Sequence, residues 1–139
     1  MASIHREILI DASPQLIWVA ASDAGALHTK LVPGFVVDTL LEGDVRTVTF
    51  ANGFAARERI VDIDDQRRRI AWSVIESPRL KHHNASLQLF DENGGTRAVW
   101  IVDLLPHDAA ANVATMIEQG LAAMQRAFAA DTGPRAYTP

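Results

Sequence analysis

The chain has 139 residues, of which 48% are hydrophobic and 22% charged, the balance of one globular domain with an apolar core. It contains no cysteine, so thiolate chemistry, disulfide bonds and cysteine-ligated zinc sites are excluded. The net charge of −4 argues against nucleic-acid binding, and no apolar stretch approaches the roughly 20 residues of a membrane-spanning helix. We therefore expect a cytoplasmic protein that binds neither nucleic acid nor membrane.

The first third of the chain predicts one strand and two short helices. Residues 4–10 place apolar side chains at alternate positions, which favours a strand with one buried face. Ser13-Pro14 is an N-cap followed by proline at the first helical position, so a helix is expected over residues 14–21. Asp23 is placed to cap a second short helix, which should end before Pro33-Gly34.

Six strand-like runs fill the middle of the chain. Each is rich in β-branched or aromatic residues and is separated from the next by turn-forming residues such as Asn, Asp, Gly and Pro. Sequential strands joined by short turns pair as an antiparallel meander. The runs are residues 35–41, 45–50, 55–63, 69–75, 83–90 and 96–105.

The hydrophobic period changes after Pro106. Apolar residues now recur at three- and four-residue steps, which predicts one long helix over residues 108–130, with Asp108 as its cap. Residues 131–139 are expected to form a flexible tail. The apolar positions are Val113, Ile117, Leu121, Met124 and Phe128.

Together these elements predict an α+β domain over residues 1–130. A seven-stranded, curved antiparallel sheet should wrap the long C-terminal helix, with two short helices after the first strand. A sheet curved around one helix does not fill its concave side completely, so we expect a cavity between the two.

An ordered series of short motifs occupies residues 43–106. In this order they resemble the START-like superfamily, also called SRPBCC or helix-grip proteins, which includes polyketide cyclase/dehydrase-like proteins and the plant abscisic-acid receptors. The resemblance covers nearly the whole chain and implies a helix-grip fold with a pocket for a small ligand. The motifs are Gly43-Asp44-Val45-Arg46, Asn52-Gly53-Phe54-Ala55, Glu58-Arg59-Ile60, Asp64-Asp65, Pro78-Arg79-Leu80-Lys81-His82-His83 and Ile101-Val102-Asp103.

Two loops carry a further implication of this resemblance. In the plant receptors, the segment similar to residues 52–55 is a gate over the pocket, and the segment similar to residues 78–80 is a latch. A mobile entrance is therefore implied. Ala55 stands where the gate has a proline, and Pro78 stands where the latch has its first histidine. These departures argue against abscisic acid as the ligand and a phosphatase as the partner.

Strand parity selects the side chains that face the concave side of the sheet. The predicted wall is mostly apolar and aromatic, with Arg46, Glu58 and His83 as its polar members. On the long helix, Gly120 provides either room for a ligand or close contact between helix and sheet. The predicted ligand-binding residues are Arg46, Val48, Phe50, Phe54, Ala56, Glu58, Trp72, Val74, Arg79, Leu80, His83, Ala85, Trp100, Met116 and Gly120.

Glu58 and His83 are the candidates for proton transfer. The position of Glu58 resembles a glutamate that joins a ligand-linked water network in the plant receptors, while a buried pair with Arg46 is an equally good interpretation. His83 could orient a ligand hydroxyl, serve as a general base, or be a wall residue near the rim. No set of histidines and carboxylates converges on a metal site, and no cofactor is expected.

We expect a binding protein for a small hydrophobic or aromatic molecule, in a cavity gated by residues 52–55 and 78–80. The alternative is a polyketide cyclase/aromatase-like enzyme that uses Glu58 or His83 for proton transfer. A third class is a protein-interaction module, in which the gate loops present a partner surface. A homodimer is compatible with the sequence, and the residues do not specify the ligand.

Overall fold

A seven-stranded antiparallel sheet carries the fold, in a computed structural model that describes the backbone of residues 2–137 and the side chains of residues 2–129. The strands are β1 (Ala2–Ile10), β2 (Val36–Glu42), β3 (Val45–Phe50), β4 (Ala55–Asp64), β5 (Arg69–Ile75), β6 (His82–Glu92) and β7 (Gly95–Leu105). Their order is β1-β7-β6-β5-β4-β3-β2, so β2 to β7 form a meander and β1 pairs with β7. The sheet predicted from the sequence is confirmed.

Strands β3 and β5 have the predicted bounds, and the other strands differ from the predicted bounds by one or two residues, most clearly at the turn between β6 and β7. Glu92 pairs with Gly95, which leaves only Asn93 and Gly94 in the turn. Both residues have positive φ, 54° and 86°, as a two-residue type I′ turn requires. Because this turn is shorter than expected, both strands continue further toward it.

Helix α1 (Pro14–Ala21) follows β1 and begins as predicted. The side chain of Ser13 accepts a hydrogen bond from the backbone N–H of the third helical residue at 3.2 Å, which satisfies one of the free donors of the first turn. Trp18 is buried on the inner side, and its indole N–H donates to a carboxylate oxygen of Asp65 at 2.9 Å. This bond fixes α1 against the turn between β4 and β5.

The second short helix is a five-residue π-helical turn, Leu27–Leu31, and its predicted cap is wrong. The turn begins after Ala26, which makes no side-chain capping bond. Asp23 instead forms an ion pair with Lys30 at 2.7 Å. The carboxylate is therefore engaged by a cation from within the turn and does not reach the backbone donors that a cap would satisfy.

The long C-terminal helix, α2 (Ala110–Tyr137), crosses the concave face as predicted from its period. A short 3₁₀ turn, His107–Ala109, precedes it, so Asp108 lies inside that turn and is not the cap. The helix continues beyond its predicted end at residue 130. The flexible tail expected over residues 131–139 stays a prediction. Residues 138 and 139 lie outside the described part of the chain. The buried side chains of α2 include Ile117, Leu121, Met124 and Phe128.

Polar contacts attach α2 to the edge strand β1. The guanidinium Nε of Arg6 lies 3.0 Å from a carboxylate oxygen of Glu118. The side-chain amide of Gln125 donates to the backbone carbonyl of Leu9 at 2.8 Å. The helix is thus held over β1 and β7, and the hydrophobic core lies between it and the sheet.

Two interruptions in strand pairing accompany the curvature of the sheet. The register shifts between Val36 and Asp38 on β2 and between Ile60 and Asp62 on β4, which are positions of β-bulges. A bulge bends its strand and increases the local twist. The bulges lie on β2 and β4, on the side of the sheet away from β1.

A buried hydrogen bond connects the start of β7 with the segment between β1 and α1. The hydroxyl of Thr96, which is 1% exposed, donates to the carbonyl of Ala12 at 2.7 Å. Thr96→Val should lower the free energy of unfolding by about 1–3 kcal/mol, because the carbonyl loses its donor in a buried place. Urea denaturation measures this loss. Thr96→Ser keeps the hydroxyl and is the control; an equal loss in both variants would contradict the role of the bond.

Candidate ligand-binding site

One row of cross-strand neighbours contains all the polar side chains predicted for the concave wall. Arg46 on β3 lies opposite Glu58 on β4, and Glu58 lies opposite Val74 on β5. His83 on β6 lies opposite Leu104 on β7. The row passes from Arg46, which lies beside the β2–β3 turn, to His83, which lies beside the β5–β6 loop. The polar groups of the wall therefore share one row across the concave side.

Arg46 and Glu58 form a buried ion pair. The guanidinium Nε lies 2.8 Å from a carboxylate oxygen, and the two side chains are only 3% and 9% exposed. The guanidinium carbon also lies 5.3 Å from the centre of the Trp72 ring, within the range of a cation–π contact. The negative charge of Glu58 is thus compensated inside the protein. To transfer a proton, the carboxylate would first have to weaken its bond to Arg46.

His83 fills a gap in the ladder between β5 and β6. The paired residues end at Trp72 and Ala85, and beyond them the backbone N–H of Val74 donates to Nδ1 of His83 at 3.1 Å. Nδ1 is therefore the acceptor, and in the neutral ring the proton is on Nε2. Burial lowers the pKa of His83 to about 4, with a further contribution from the charge of His82. Near neutral pH this geometry makes His83 a hydrogen-bond donor and disfavours its role as a general base.

The aromatic part of the wall lies next to this row. The rings of Trp72 and Trp100 meet edge to face, with centroids 5.6 Å apart and planes at 69°. Ala85 lies opposite Trp72 on the intervening strand β6, and its small side chain leaves the two rings room to approach. The indole Nε1 of Trp100 is buried and has no hydrogen-bond partner among the described residues.

Gly120 brings α2 into direct contact with this wall. A Cβ atom at Gly120 would lie 2.8 Å from Cζ3 of Trp100 and 3.2 Å from Cε2 of Phe35. The sequence left two interpretations of Gly120, room for a ligand or close contact between helix and sheet. The structure shows the close contact, and the expectation of free space at this point is wrong. Phe35 also meets Phe50 edge to face at 5.3 Å, so each of the two rings beside Gly120 contacts a further aromatic ring.

A recess of about 270 Å³ opens beside these rings, between α2 and the turn that joins β3 to β4. Phe50 and Met116, two residues predicted to bind ligand, lie in its wall, and Phe35, which the sequence analysis did not select, lies beside them. The sequence analysis counted Phe35 as the first residue of a strand, whereas in the structure it precedes β2, which begins at Val36. The lining residues are Gly34, Phe35, Phe50, Ala51, Asn52, Met116, Gln119 and Arg126.

The gate and latch segments touch one another at the same edge of the sheet. The guanidinium carbon of Arg79 lies 4.4 Å from the centre of the Phe54 ring, which is half exposed. The Arg57–Glu76 ion pair makes a second connection between β4 and the latch loop. Leu80, the remaining loop residue of the predicted set, is half-buried. The two segments are therefore joined, and both contacts would have to open for the latch to move.

The other predicted residues lie where strand parity places them. Val48, 1% exposed, lies opposite Ala56, and both belong to the concave side. A second recess, of about 340 Å³, lies on the outer face of the sheet, among polar side chains that parity assigned to solvent; it was not predicted. Its lining residues are His5, Arg69, Asn84, Ser86, Gln88, Phe90, Arg97, Val99, Ile101 and Asp103.

The fold and this site define a helix-grip domain: a curved sheet closed by a C-terminal helix, with a recess leading to an aromatic interior. Residues 1–131 match the family model described as polyketide cyclase / dehydrase and lipid transport, and the chain belongs to this family. The resemblance to the START-like superfamily is confirmed. No curated protein matches the sequence significantly.

Solved structures with the same fold include proteins of different kinds. XoxI from Bacillus cereus has 22% identity and a TM-score of 0.82, covering 92% of this chain and 96% of its own. A point mutant of Thalictrum flavum norcoclaurine synthase, in complex with a transition-state analogue, has 19% identity and a TM-score of 0.68, covering 97% and 96%. The di-domain ARO/CYC protein BexL from the BE-7585A biosynthetic pathway has 14% identity and a TM-score of 0.74, covering 91% and 46%.

Within the described part of the chain, no helix is long and apolar enough to cross a membrane. The described residues also contain no group of three or more His, Cys, Asp or Glu side chains that could hold a metal ion.

The buried ion pair predicts an asymmetry between single and double substitution. Glu58→Leu leaves the Arg46 charge buried without a partner and should lower the free energy of unfolding by about 3–5 kcal/mol. Combining it with Arg46→Met removes that charge and should recover most of the loss. Lys30→Gln, which breaks the exposed pair with Asp23, is the control and should cost at most about 1 kcal/mol. Urea denaturation measures these losses. Equal losses in Glu58→Leu and Lys30→Gln would contradict the assignment of Arg46 and Glu58 as a buried ion pair.

The geometry of His83 predicts a pH-dependent stability. Its pKa is about 4 in the folded protein and about 6.5 in the unfolded chain, so the unfolded chain binds more protons between these values. Stability is therefore complete above pH 6.5 and falls as the pH drops toward 4, by roughly 2–3 kcal/mol from this group. His83→Gln, which retains an acceptor for Val74, should lose that part of the pH dependence. The unfolding free energies of both proteins at pH 7 and pH 4 test this prediction. An equal fall in the two proteins between these pH values would contradict it.

Proposed function

We propose that this protein binds a small, largely apolar aromatic molecule between α2 and the concave face of the sheet. The observation that carries the proposal is the pair of rings beside Gly120, each in contact with a further aromatic ring, with an open recess on one side. Aromatic rings bind other rings by edge-to-face and stacked contacts as well as by burial. The recess of about 270 Å³ is close to the lower limit of small-molecule sites, so the ligand should be no larger than a few rings.

Binding at the centre of the wall requires side chains to move, because Trp100 and Phe35 already lie against Gly120. Phe35 is the side chain best placed to do so, since it lines the recess and follows Gly34, whose φ is +90°. The contact between Phe54 and Arg79 closes the neighbouring edge. We infer that ligand enters past Phe35, with residues 52–55 and 78–80 as the moving rim.

The polar groups of the wall favour binding over catalysis. Glu58 is held by Arg46, and the acceptor nitrogen of His83 is held by Val74. Proton transfer by the Oε1 atom of Glu58 or by Nδ1 of His83 would therefore require an existing hydrogen bond to open. A wall whose two charged groups are paired with each other is suited to hold an apolar molecule and to leave it unchanged. The cytoplasmic location and the homodimer stay predictions.

A polyketide cyclase/aromatase-like enzyme is the second candidate, favoured by the family description. Glu58 would be its proton-transfer group, because Nδ1 of His83 is occupied. Glu58→Gln distinguishes the two functions: a binding protein retains its affinity for a neutral ligand, whereas an enzyme binds substrate and loses turnover.

Tryptophan fluorescence tests the proposed function directly. Trp18→Phe leaves Trp72 and Trp100 as the only tryptophans, and both belong to the wall. Naphthalene-sized aromatic compounds should quench this emission and, at tenfold excess over Kd, raise the free energy of unfolding by about 1.4 kcal/mol. Tryptophan free in solution, titrated in parallel, corrects for collisional quenching. The proposal fails if a broad panel of aromatic and terpenoid compounds gives neither quenching nor stabilisation.

A further inference from the structure

One donor in the interior lacks an acceptor. The indole Nε1 of Trp100 is buried and makes no hydrogen bond within the described part of the chain. Buried N–H groups in native proteins are nearly always paired, and an exception needs a physical explanation. Trp18 shows the usual arrangement in this protein, since its indole N–H donates to Asp65 at 2.9 Å. The same residue type is thus satisfied at one place and left free at the other.

The carboxylates on neighbouring elements, which are possible acceptors for the N–H of Trp100, already bind cations. Glu58 on the wall is bound by Arg46 at 2.8 Å. On β1, the residue opposite Trp100 is Arg6, a cation, and it binds Glu118 on α2 at 3.0 Å. On β6, the residue opposite Trp100 is Leu87, which has no polar side-chain atom. The immediate neighbours of Trp100 therefore supply no acceptor.

The recess and Trp100 are close together. At Gly120, α2 lies beside Trp100 and also beside Phe35, which lines the recess. A ring that displaced Phe35 would therefore arrive next to Trp100. The atoms of Trp100 that face Gly120 are Cζ3 and Cη2 of the benzo ring. A polar substituent that reached past this edge to the pyrrole part of the ring, and that carried an acceptor, could take the N–H of Nε1.

We propose that the ligand is a neutral aromatic compound with a carbonyl group, whose oxygen accepts the hydrogen bond of Trp100 Nε1–H. This inference rests on the proposed function and specifies its ligand class. A carbonyl is favoured over a carboxylate because a second negative charge would have no buried partner. Arg46, the cation of the wall, is already paired with Glu58. His83, with its proton on Nε2, offers a second donor further along the wall.

The test uses two compounds of nearly the same shape. 2-Acetylnaphthalene carries the carbonyl, and 2-ethylnaphthalene replaces it with a methylene group. Calorimetry should show the ketone binding about five- to tenfold more tightly than the hydrocarbon, the range expected for one neutral hydrogen bond. Trp100→Phe keeps an aromatic ring and removes the donor. It should abolish that difference by weakening the ketone alone, whereas Trp72→Phe should affect both compounds equally.

The possible results distinguish a failure of this inference from a failure of the proposed function. If Trp100→Phe weakens both compounds alike, Trp100 contributes only its ring and the carbonyl assignment is wrong. Tighter binding of 2-naphthoate than of the ketone would overturn the neutral class. If neither neutral compound binds the wild-type protein, the proposed function fails together with this inference.

A measurement on the wild-type protein covers the case in which Trp100→Phe does not fold. The indole N–H resonances can be assigned by elimination with Trp18→Phe and Trp72→Phe. The Trp100 proton should move downfield with the ketone and exchange more slowly with solvent, and 2-ethylnaphthalene should produce neither change. Equal shifts with both compounds would overturn the proposal.

Discussion

The close approach of α2 to the aromatic wall depends on Gly120, a position of the helix that has no side chain. The ring of Trp100 occupies it, at a distance that even one added carbon would violate. The contact sets how near α2 lies to the wall and therefore how much space remains beside it. Phe35 lies against the same point and separates the interior from the open recess. Packing and access to the interior thus depend on one glycine.

The polar row of the wall is stabilised by contacts between neighbouring strands. Arg46 and Glu58 neutralise each other across β3 and β4, and His83 bonds to the backbone where the ladder between β5 and β6 ends. Each group would be unfavourable in an apolar interior by itself, and each is satisfied by a neighbour on the next strand. What remains for a ligand is an aromatic surface with N–H donors. The electrostatics of the wall, rather than the fold, therefore limit which molecules suit it.

The family relationship establishes the fold, whereas the function depends on the side chains of the site. Structures with this fold include a norcoclaurine synthase and an ARO/CYC protein, at identities below 20%. One scaffold therefore serves several activities, and the side chains of the wall decide among them. In this chain an oxygen of the Glu58 carboxylate and the Nδ1 atom of His83 each have a hydrogen-bond partner, whereas the Trp100 donor has none among the described residues. This pattern is why we favour a binding function.

The sequence by itself determined the elements and the faces of the strands. Turn residues and hydrophobic period predicted seven strands and a long helix, and parity placed Arg46 and Glu58 on one face, because these signals are local. Only the tertiary structure decided that Gly120 serves contact rather than space, that Asp23 pairs with Lys30 instead of capping, and that Nδ1 of His83 is taken by Val74. Each of these depends on a distance between residues brought together by folding, and local pattern carries no information about such distances.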